Sequence, residues 1–402
     1  MSKTNITALI KPASGSCNMH CRYCFYKDVS SYRQKQSKER PQLSEIRQEE
    51  TQKQLSSEAA CLMSHATAKA LIEKCLSYSD GGEVTFCFQG GEPLLAGYDF
   101  FERFVSGVDE LNSSECRIHY SLQTNGVLID ERFCEFFHTH DFLLGVSLDG
   151  LPEIHDELRC HRNDSSMSDR SHLIENNEPG SYNQITERIS LLKKHKVSFN
   201  ILLVVTPLLA KHFDRVWSSL RDKGYDYLQF INCIAPFGVK QEEWPYALSN
   251  EDFADFQCKL FDAYWKENNQ GGFVSVRHLD NLLYMLRGYG AEQCTMQGFC
   301  AGQLVAEADG SVYPCDFYCI DRYLTGNINR NSLEELSASS AMKCFTTESR
   351  VIDDKCKTCS VRGICRGGCR RERDFLGNGQ LSLNRYCKGL KQFYEHVLET
   401  CR

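Results

Sequence analysis

The stretch CNMHCRYC, at residues 17–24, decides how this chain is interpreted. It contains Cys17, Cys21 and Cys24, with three and then two residues between them. Three thiolates can bind three irons of a cubic [4Fe–4S] cluster and leave the fourth iron open, whereas an electron-transfer cluster normally has four protein ligands. An iron without a protein ligand can bind a small molecule. The alternative is a zinc knuckle that lacks a cysteine, with His20 as its fourth donor.

A second group of cysteines lies near the C-terminus. It comprises eight thiols, which are Cys294, Cys300, Cys315, Cys356, Cys359, Cys365, Cys369 and Cys387. Eight ligands suit two fully coordinated four-iron clusters, and close pairs such as CKTC let neighbouring thiolates reach one cluster. CxxC pairs bind structural zinc equally well, so this group of cysteines alone does not distinguish iron–sulfur clusters from zinc sites. Together with the N-terminal triad it favours iron and sulfide.

The composition agrees with metal binding in a reducing compartment. The chain has 402 residues, 22 cysteines and a formal net charge of −7. It contains no apolar stretch of about 18 residues that would span a membrane, and its start lacks the apolar segment of a secretory signal. Many cysteines without an export signal point to metal ligands rather than disulfides. We therefore expect a cytoplasmic protein without a membrane or nucleic-acid partner, since no dense basic stripe is present.

Strand-like and helix-like segments alternate along much of the chain. Apolar and β-branched runs predict strands at residues 6–10, 83–89, 118–123, 143–148, 199–206 and 227–232. Helical periodicity is found at residues 66–78, 100–111, 130–139, 184–194 and 212–223. This alternation predicts an α/β fold with a parallel sheet, and six units make a partial (β/α)6 barrel that is open on one side. The cysteine triad and the GGEP string then both lie at the carboxyl ends of strands.

Six strings along the chain carry a resemblance to one family. They are IKPASGSCNMHCRYCFY (10–26), FQGGEPLLAG (88–97), SLQTNGVLID (121–130), LLGVSLDGLPEIHDELR (143–159), LQFINC (228–233) and DGSVYPCDFY (309–318). The chain is similar, across nearly its whole length, to the anaerobic sulfatase-maturating enzymes. These are radical S-adenosylmethionine (SAM) enzymes with a C-terminal SPASM domain. The resemblance implies a radical SAM barrel at residues 1–240, a helical linker at 241–290 and a SPASM domain at 291–402.

The resemblance also implies the cofactors and their ligands. Three [4Fe–4S] clusters are expected, and the open iron of the N-terminal cluster would chelate SAM. The first auxiliary cluster would be held by Cys294, Cys300, Cys315 and Cys369. The second would be held by Cys356, Cys359, Cys365 and Cys387. The expected contacts with SAM are made by Tyr23, Gly90, Gly91, Glu92, Ser147, Arg188 and Leu228.

The substrate side of the predicted site rests on three residues. Asp316 directly follows Cys315, in a hairpin suggested by Asp309-Gly310. A carboxylate beside an anionic cluster is disfavoured as a mere surface charge and is suited to general-base work. By the resemblance, Asp316 takes the proton from a cysteine thiol or serine hydroxyl of the substrate. Tyr26 and Gln89 would position that side chain.

The implied reaction converts a cysteine or serine of a sulfatase into Cα-formylglycine. The target lies in an unfolded Cys/Ser-x-Pro/Ala-x-Arg segment, and a 5′-deoxyadenosyl radical removes a hydrogen atom from its β-carbon. An auxiliary cluster would accept the second electron, and a flavodoxin- or ferredoxin-type protein would be the reductant. The nearest alternative is a SPASM-type maturase that forms thioether or carbon–carbon cross-links in a ribosomally made peptide. A non-enzymatic iron–sulfur carrier or zinc scaffold leaves the GGEP loop and the barrel pattern unexplained.

Two polar segments do not fit compact elements. They lie at about residues 30–60 and 160–183, and they are rich in charged or turn-forming residues. Each follows a predicted strand end near the barrel mouth. Either is a candidate lid or partner-recognition arm.

Overall fold

The computed structural model describes residues 3–26, 62–160 and 180–402 of the chain. The polar segments predicted at about 30–60 and 160–183 lie, apart from residues 160 and 180–183, outside the described residues. Within the described ranges, no helix is long and apolar enough to cross a membrane. The chain divides into two units. The first comprises Met1–Asn18, Cys24–Gln123 and Gly302–Phe345, and the second comprises Met19–Tyr23, Thr124–Ala301 and Thr346–Arg402.

The first unit contains a mixed sheet built around β1 (Ile6–Ile10). This strand runs parallel to both of its neighbours, β2 (Glu83–Phe88) and β8 (Leu304–Ala306). On one side β2 pairs in parallel with β3 (Arg117–Thr124). On the other side β8 is followed by two antiparallel partners, β9 (Ser311–Tyr313) and β10 (Gly326–Asn327).

The second unit contains an all-parallel group of strands. They are β4 (Phe142–Ser147), β5 (Ser198–Val205), β6 (Tyr227–Asn232) and β7 (Ser275–Val276), paired in that order. The strand β5 has the sequence SFNILLVV. A nearly continuous apolar run of this kind is typical of a parallel strand that is covered on both faces.

Helices follow the strands in chain order. They are α1 (His65–Ser79), α2 (Tyr98–Leu111), α3 (Glu131–Thr139), α4 (Pro152–Leu158), α5 (Ser181–Lys194), α6 (Pro207–Lys211), α7 (Phe213–Asp222), α8 (Asn250–Asn269), α9 (Arg277–Leu286), α10 (Cys294–Gln297), α11 (Leu333–Ala338), α12 (Ser340–Glu348), α13 (Asp354–Lys357), α14 (Arg362–Cys365) and α15 (Cys387–Thr400). From β1 to β6, strand and helix alternate as the sequence predicts. The predicted linker at 241–290 contains α8 and α9, and the predicted domain limits themselves stay predictions.

The carboxyl ends of β2, β3, β4 and β5 each differ from the prediction by one residue, and the difference in β5 has a local chemical cause. The sequence pattern placed Thr206 in the fifth strand, but β5 ends at Val205 and a short helix, α6, follows. The Thr206 side chain accepts a hydrogen bond from the Leu209 backbone N–H, and Pro207 occupies the first helical turn. A threonine cap followed by proline is a helix start, because proline needs no hydrogen bond for its nitrogen there.

Aromatic side chains fill the core of the first unit between sheet and helix. Phe86 and Phe88 of β2 are buried and meet the helix α2 edge-on. The ring centroids of Phe86 and Phe104 are 5.1 Å apart, as are those of Phe88 and Phe101. Each such burial stabilises the fold by about 1.5–3 kcal/mol. This packing fixes the carboxyl end of β2, from which Gln89 and the GGEP loop continue.

Candidate functional site

Asp316 lies at the centre of a group of polar side chains in the first unit. It begins a single 3-10 turn, Asp316–Tyr318, shortly after β9. The Tyr26 hydroxyl donates to Asp316 Oδ2 at 2.5 Å, and Gln89 Nε2 donates to the same oxygen at 2.7 Å. The structure therefore brings together the three residues that the sequence assigned to the substrate side. Their catalytic roles stay predictions.

Lys11 completes this group, and the sequence analysis missed it. Its ammonium lies 2.8 Å from Asp316 Oδ1 and 3.3 Å from Glu307 Oε1, and it donates to Cys319 Sγ at 3.1 Å. The Lys11 side chain is only 1% exposed. Burial opposes the charge, but Asp316, Cys319 and Glu307 together raise the pKa of Lys11 well above its usual value. The cation is therefore permanent and buried. Its one sequence signal is a lysine placed directly after the buried strand β1.

The two glycines of the GGEP loop pack against the loop that leads to Cys17. Gly90 has a φ of +124°, and a Cβ on Gly91 would overlap the Ser16 carbonyl oxygen. The Gly91 N–H donates to the Ser14 carbonyl at 2.8 Å. The two glycines thus dock the end of β2 on the backbone just before the cysteine triad. Their predicted contact with SAM stays a prediction.

The remaining predicted SAM contacts differ in their surroundings. Glu92 is fully buried, and its Oε1 accepts from the Leu94 N–H at 3.0 Å. In the second unit, Ser147 ends β4 and is half-buried, whereas Leu228 of β6 is buried. Arg188 of α5 has a buried Nε without a hydrogen-bond partner among the described residues. Because a guanidinium pairs readily with a carboxylate, this free donor fits the carboxylate end of SAM. All of these contacts stay predictions.

A buried ion pair holds Tyr23 in the second unit. The Tyr23 hydroxyl donates to Asp149 Oδ2, and Arg159 Nε donates to the same oxygen at 2.9 Å. The Val204 N–H donates to Asp149 Oδ1 at 2.9 Å. Burial raises the pKa of Asp149, but the charges of Arg159 and His155 and the hydrogen bonds from Tyr23 and Val204 together outweigh it and hold that pKa below its usual value.

Arg159 also reaches one cysteine of the triad. Its Nη1 lies 4.0 Å from Cys21 Sγ, and its Cζ lies 5.5 Å from the centroid of the Tyr23 ring. A permanent cation thus faces a predicted cluster ligand. The sequence analysis assigned no role to Asp149 or Arg159, although both belong to the string at 143–159 that carried the resemblance. Cys17 and Cys24, by contrast, belong to the first unit, and all three thiols are half-buried.

The four predicted ligands of the second auxiliary cluster all lie in the second unit. Burial raises the pKa of Cys387, and the neighbouring Cys356 and Cys359 raise it further. The pKa of Cys365 is raised to about 11, mainly by burial. The neighbouring Cys387, Cys356 and Cys359 also raise it, whereas a hydrogen bond from the Gly367 N–H lowers it. Each of the four thiols is thus within electrostatic range of the others. Four cysteine thiolates are the usual donor set of a [4Fe–4S] cluster, and the assignment of these four to one cluster stays a prediction.

Three of the four predicted ligands of the first auxiliary cluster, Cys294, Cys300 and Cys369, also belong to that unit. Burial raises the pKa of Cys369, and the charges of the nearby Cys294 and Cys300 raise it further. The Arg371 N–H donates to Cys369 Sγ at 3.4 Å. In the sequence Cys369 lies between Cys365 and Cys387, which are assigned to the second auxiliary cluster. Its assignment to the first is nevertheless compatible with the cysteines that lie near it. Cys315 belongs to the first unit.

Comparison with known proteins gives two family matches and several close relatives. The model of the radical SAM superfamily matches residues 12–216, and that of an iron–sulfur cluster-binding domain matches residues 298–360. A cysteine-type anaerobic sulfatase-maturating enzyme of Clostridium novyi (strain NT) is 37% identical over 391 residues, which are 97% of this chain and 95% of the relative. A serine-type enzyme of Klebsiella aerogenes is 28% identical over 98% of this chain and 85% of its own length. The solved structure of native anSMEcpe with bound AdoMet and Cp18Cys peptide superposes with a TM-score of 0.83 at 34% identity, covering 99% of this chain and 98% of the other.

The fold, the triad and these matches define a radical SAM enzyme with an iron–sulfur cluster-binding domain. This result confirms the fold class predicted from the sequence. Within that class, the chain belongs to the family of anaerobic sulfatase-maturating enzymes, because relatives named as such match it over nearly its whole length at 35–37% identity. The family resemblance and the predicted enzymatic activity are thereby confirmed.

Proposed function

We propose that this protein oxidises a cysteine side chain of a sulfatase polypeptide to Cα-formylglycine. The observation that carries the proposal is the convergence of Tyr26, Gln89 and Lys11 on the Asp316 carboxylate, in a chain of this family. Three donors on one carboxylate hold an acceptor in a fixed place. That is the arrangement that removal of a proton from a substrate thiol requires.

The cofactors would be SAM and three [4Fe–4S] clusters. The family matches support a SAM-dependent iron–sulfur enzyme, and the count of three rests on the eleven cysteines assigned from the resemblance. When bound, these groups supply a radical that removes a hydrogen atom from the target β-carbon, and an acceptor for the second electron. The Arg188 guanidinium is suited to the SAM carboxylate, and the docked GGEP loop to the SAM amine.

The protein's own residues would handle the substrate proton. Asp316 accepts the thiol proton, while Tyr26 and Gln89 hold its Oδ2. The pKa of Tyr26 is raised well above its usual value by burial and by Asp316, so the phenol stays a neutral donor at physiological pH. The product side chain is a thioaldehyde, which water hydrolyses to the aldehyde with release of sulfide.

Cysteine is the proposed target because the cysteine-type relative is more similar than the serine-type one, at 37% against 28% identity. The solved structure of anSMEcpe with Cp18Cys peptide supports a peptide as the substrate partner. We propose a sulfatase segment with the pattern Cys-x-Pro-x-Arg, a flavodoxin- or ferredoxin-type reductant and a cytoplasmic location.

The test is incubation of the reduced, anaerobically reconstituted protein with SAM and a peptide that bears Cys-x-Pro-x-Arg. We expect loss of sulfur from the cysteine, a hydrazine-reactive aldehyde in its place and release of sulfide, all measured by mass spectrometry and sulfide assay. A peptide with alanine at the target position is the matched control and should stay unchanged. Cleavage of SAM without any aldehyde, or a cross-linked peptide product, would contradict the proposal.

A further inference from the structure

The backbone holds Cys21, the middle cysteine of the triad, beside Arg159. Both residues belong to the second unit. The backbone N–H groups on either side of Cys21 donate to the carbonyls of Cys160 and Leu158, at 2.7 and 2.9 Å. The residues that flank the cysteine are therefore bonded to the residues that flank the arginine, and the two side chains are kept close together.

The Arg159 guanidinium uses different nitrogens for its carboxylate partner and for the cysteine. Its Nε donates to Asp149 Oδ2 at 2.9 Å, whereas its Nη1 lies 4.0 Å from Cys21 Sγ. The other oxygen of Asp149 accepts from the Val204 N–H at 2.9 Å. The guanidinium is therefore the charged group of this ion pair that faces the sulfur.

The charge of Arg159 is permanent and weakly screened. A guanidinium is not deprotonated in proteins. The side chains of Arg159 and Asp149 are 7% and 0% exposed, and buried charges are screened much less than exposed ones. The potential of an iron–sulfur cluster depends on the charge and the hydrogen bonds at its sulfurs. Because reduction adds a negative charge, a cation beside a ligand sulfur favours the reduced form and a carboxylate behind it opposes that form.

We propose that Arg159 is a positioning residue that acts through Cys21 and raises the reduction potential of the N-terminal cluster, and that Asp149 limits this effect. The step is the uptake of one electron from the flavodoxin- or ferredoxin-type reductant, in which no bond forms or breaks and no proton moves. The inference rests on the proposed function, which supplies the cluster and the reductant. It gives the buried pair a role beyond anchoring Tyr23.

The test is a redox titration of the anaerobically reconstituted protein, followed by electron paramagnetic resonance. The signal of the N-terminal cluster is identified by its change when SAM is added. Arg159→Leu is expected to shift the one-electron equilibrium at least tenfold towards the oxidised form, which lowers the potential by about 59 mV. Asp149→Asn removes the opposing charge and should raise the potential. The double variant Arg159→Leu/Asp149→Asn should lie between the wild type and Arg159→Leu.

Arg215→Leu is the matched control for the loss of a paired arginine. Arg215 lies in the same unit and pairs with Glu153 at 2.6 Å, but the two side chains are 61% and 53% exposed. Water and salt screen exposed charges. The control should therefore keep the wild-type potential, and a fall equal to that of Arg159→Leu would overturn the inference.

The outcomes separate the two proposals. If the wild type forms neither the cluster nor the aldehyde, the proposed function fails, and this inference fails with it. If the wild type forms the aldehyde but the variants keep its potential, only the role of Arg159 is wrong, and lower stability at unchanged potential would show that the residue is merely structural. Should both Arg159 variants bind no iron at the triad, Asp149→Asn decides, because it keeps the arginine. An unchanged or lowered potential in that variant would overturn the inference.

Discussion

Replacement of Arg159 by leucine tests the buried pair that anchors Tyr23. Arg159 and Asp149 have side chains 7% and 0% exposed, with Nε and Oδ2 2.9 Å apart. Removing one partner of a buried pair leaves an uncompensated charge and costs about 3–5 kcal/mol. Unfolding entropy of about 2.1 cal/mol/K per residue gives about 0.8 kcal/mol/K for 402 residues. We therefore expect Tm to fall by about 4–6 °C.

The assay is an anaerobic thermal scan of the reconstituted protein, with iron content measured beforehand. Arg215→Leu is the matched control, because Arg215 pairs with Glu153 at 2.6 Å in the same unit but with side chains 61% and 53% exposed. An exposed pair contributes about 0–1 kcal/mol, so Tm should fall by about 1 °C or less. The double variant Arg159→Leu/Asp149→Asn should recover part of the loss, because the stranded charge is gone. Equal shifts for Arg159→Leu and Arg215→Leu would refute the reasoning.

Three further substitutions test separate parts of the site. Asp316→Asn is expected to lower aldehyde formation about 10²–10⁴-fold while 5′-deoxyadenosine is still formed, and equal losses of both products would contradict its role as base. Gly91→Ala forces the GGEP loop away from the loop before the triad, so SAM cleavage should fall about 10²-fold. Gly107→Ala is the matched control, because its new Cβ lies 3.6 Å from the nearest neighbour; it should leave SAM cleavage unchanged. Cys387→Ala should remove about a third of the iron per chain, whereas Cys319→Ala should keep all of it. Full iron in the former would refute the assigned ligand set.

Much of the fold was predictable because its strands are buried and parallel. The run ILLVV in β5 is apolar throughout, and the run ITALI of β1 is interrupted only by Thr7. The observed strands match the predicted ranges, 199–206 and 6–10, to within a residue. The end of β5 was missed because a strand pattern ignores the capping chemistry of Thr206 and Pro207. Local hydrogen bonds there override the apolar periodicity.

The site was predictable only in part, since its polar contacts join distant segments. Asp316 was found because it directly follows a cysteine, whereas Tyr26 and Gln89 were assigned from the family resemblance. Lys11 and Arg159 were not, because a single charged residue beside an apolar run has no period and no spacing to reveal its partner. Their ion pairs with Asp316 and Asp149 exist only once the strands are assembled.

The most direct test of the central claim follows the hydrogen atom of the target β-carbon. The reduced protein is given SAM and a Cys-x-Pro-x-Arg peptide whose target cysteine carries two deuteriums on the β-carbon. We expect one deuterium in the 5′-deoxyadenosine that is formed and one in the peptide aldehyde, both measured by mass spectrometry. Aldehyde formed alongside 5′-deoxyadenosine without deuterium would contradict the account.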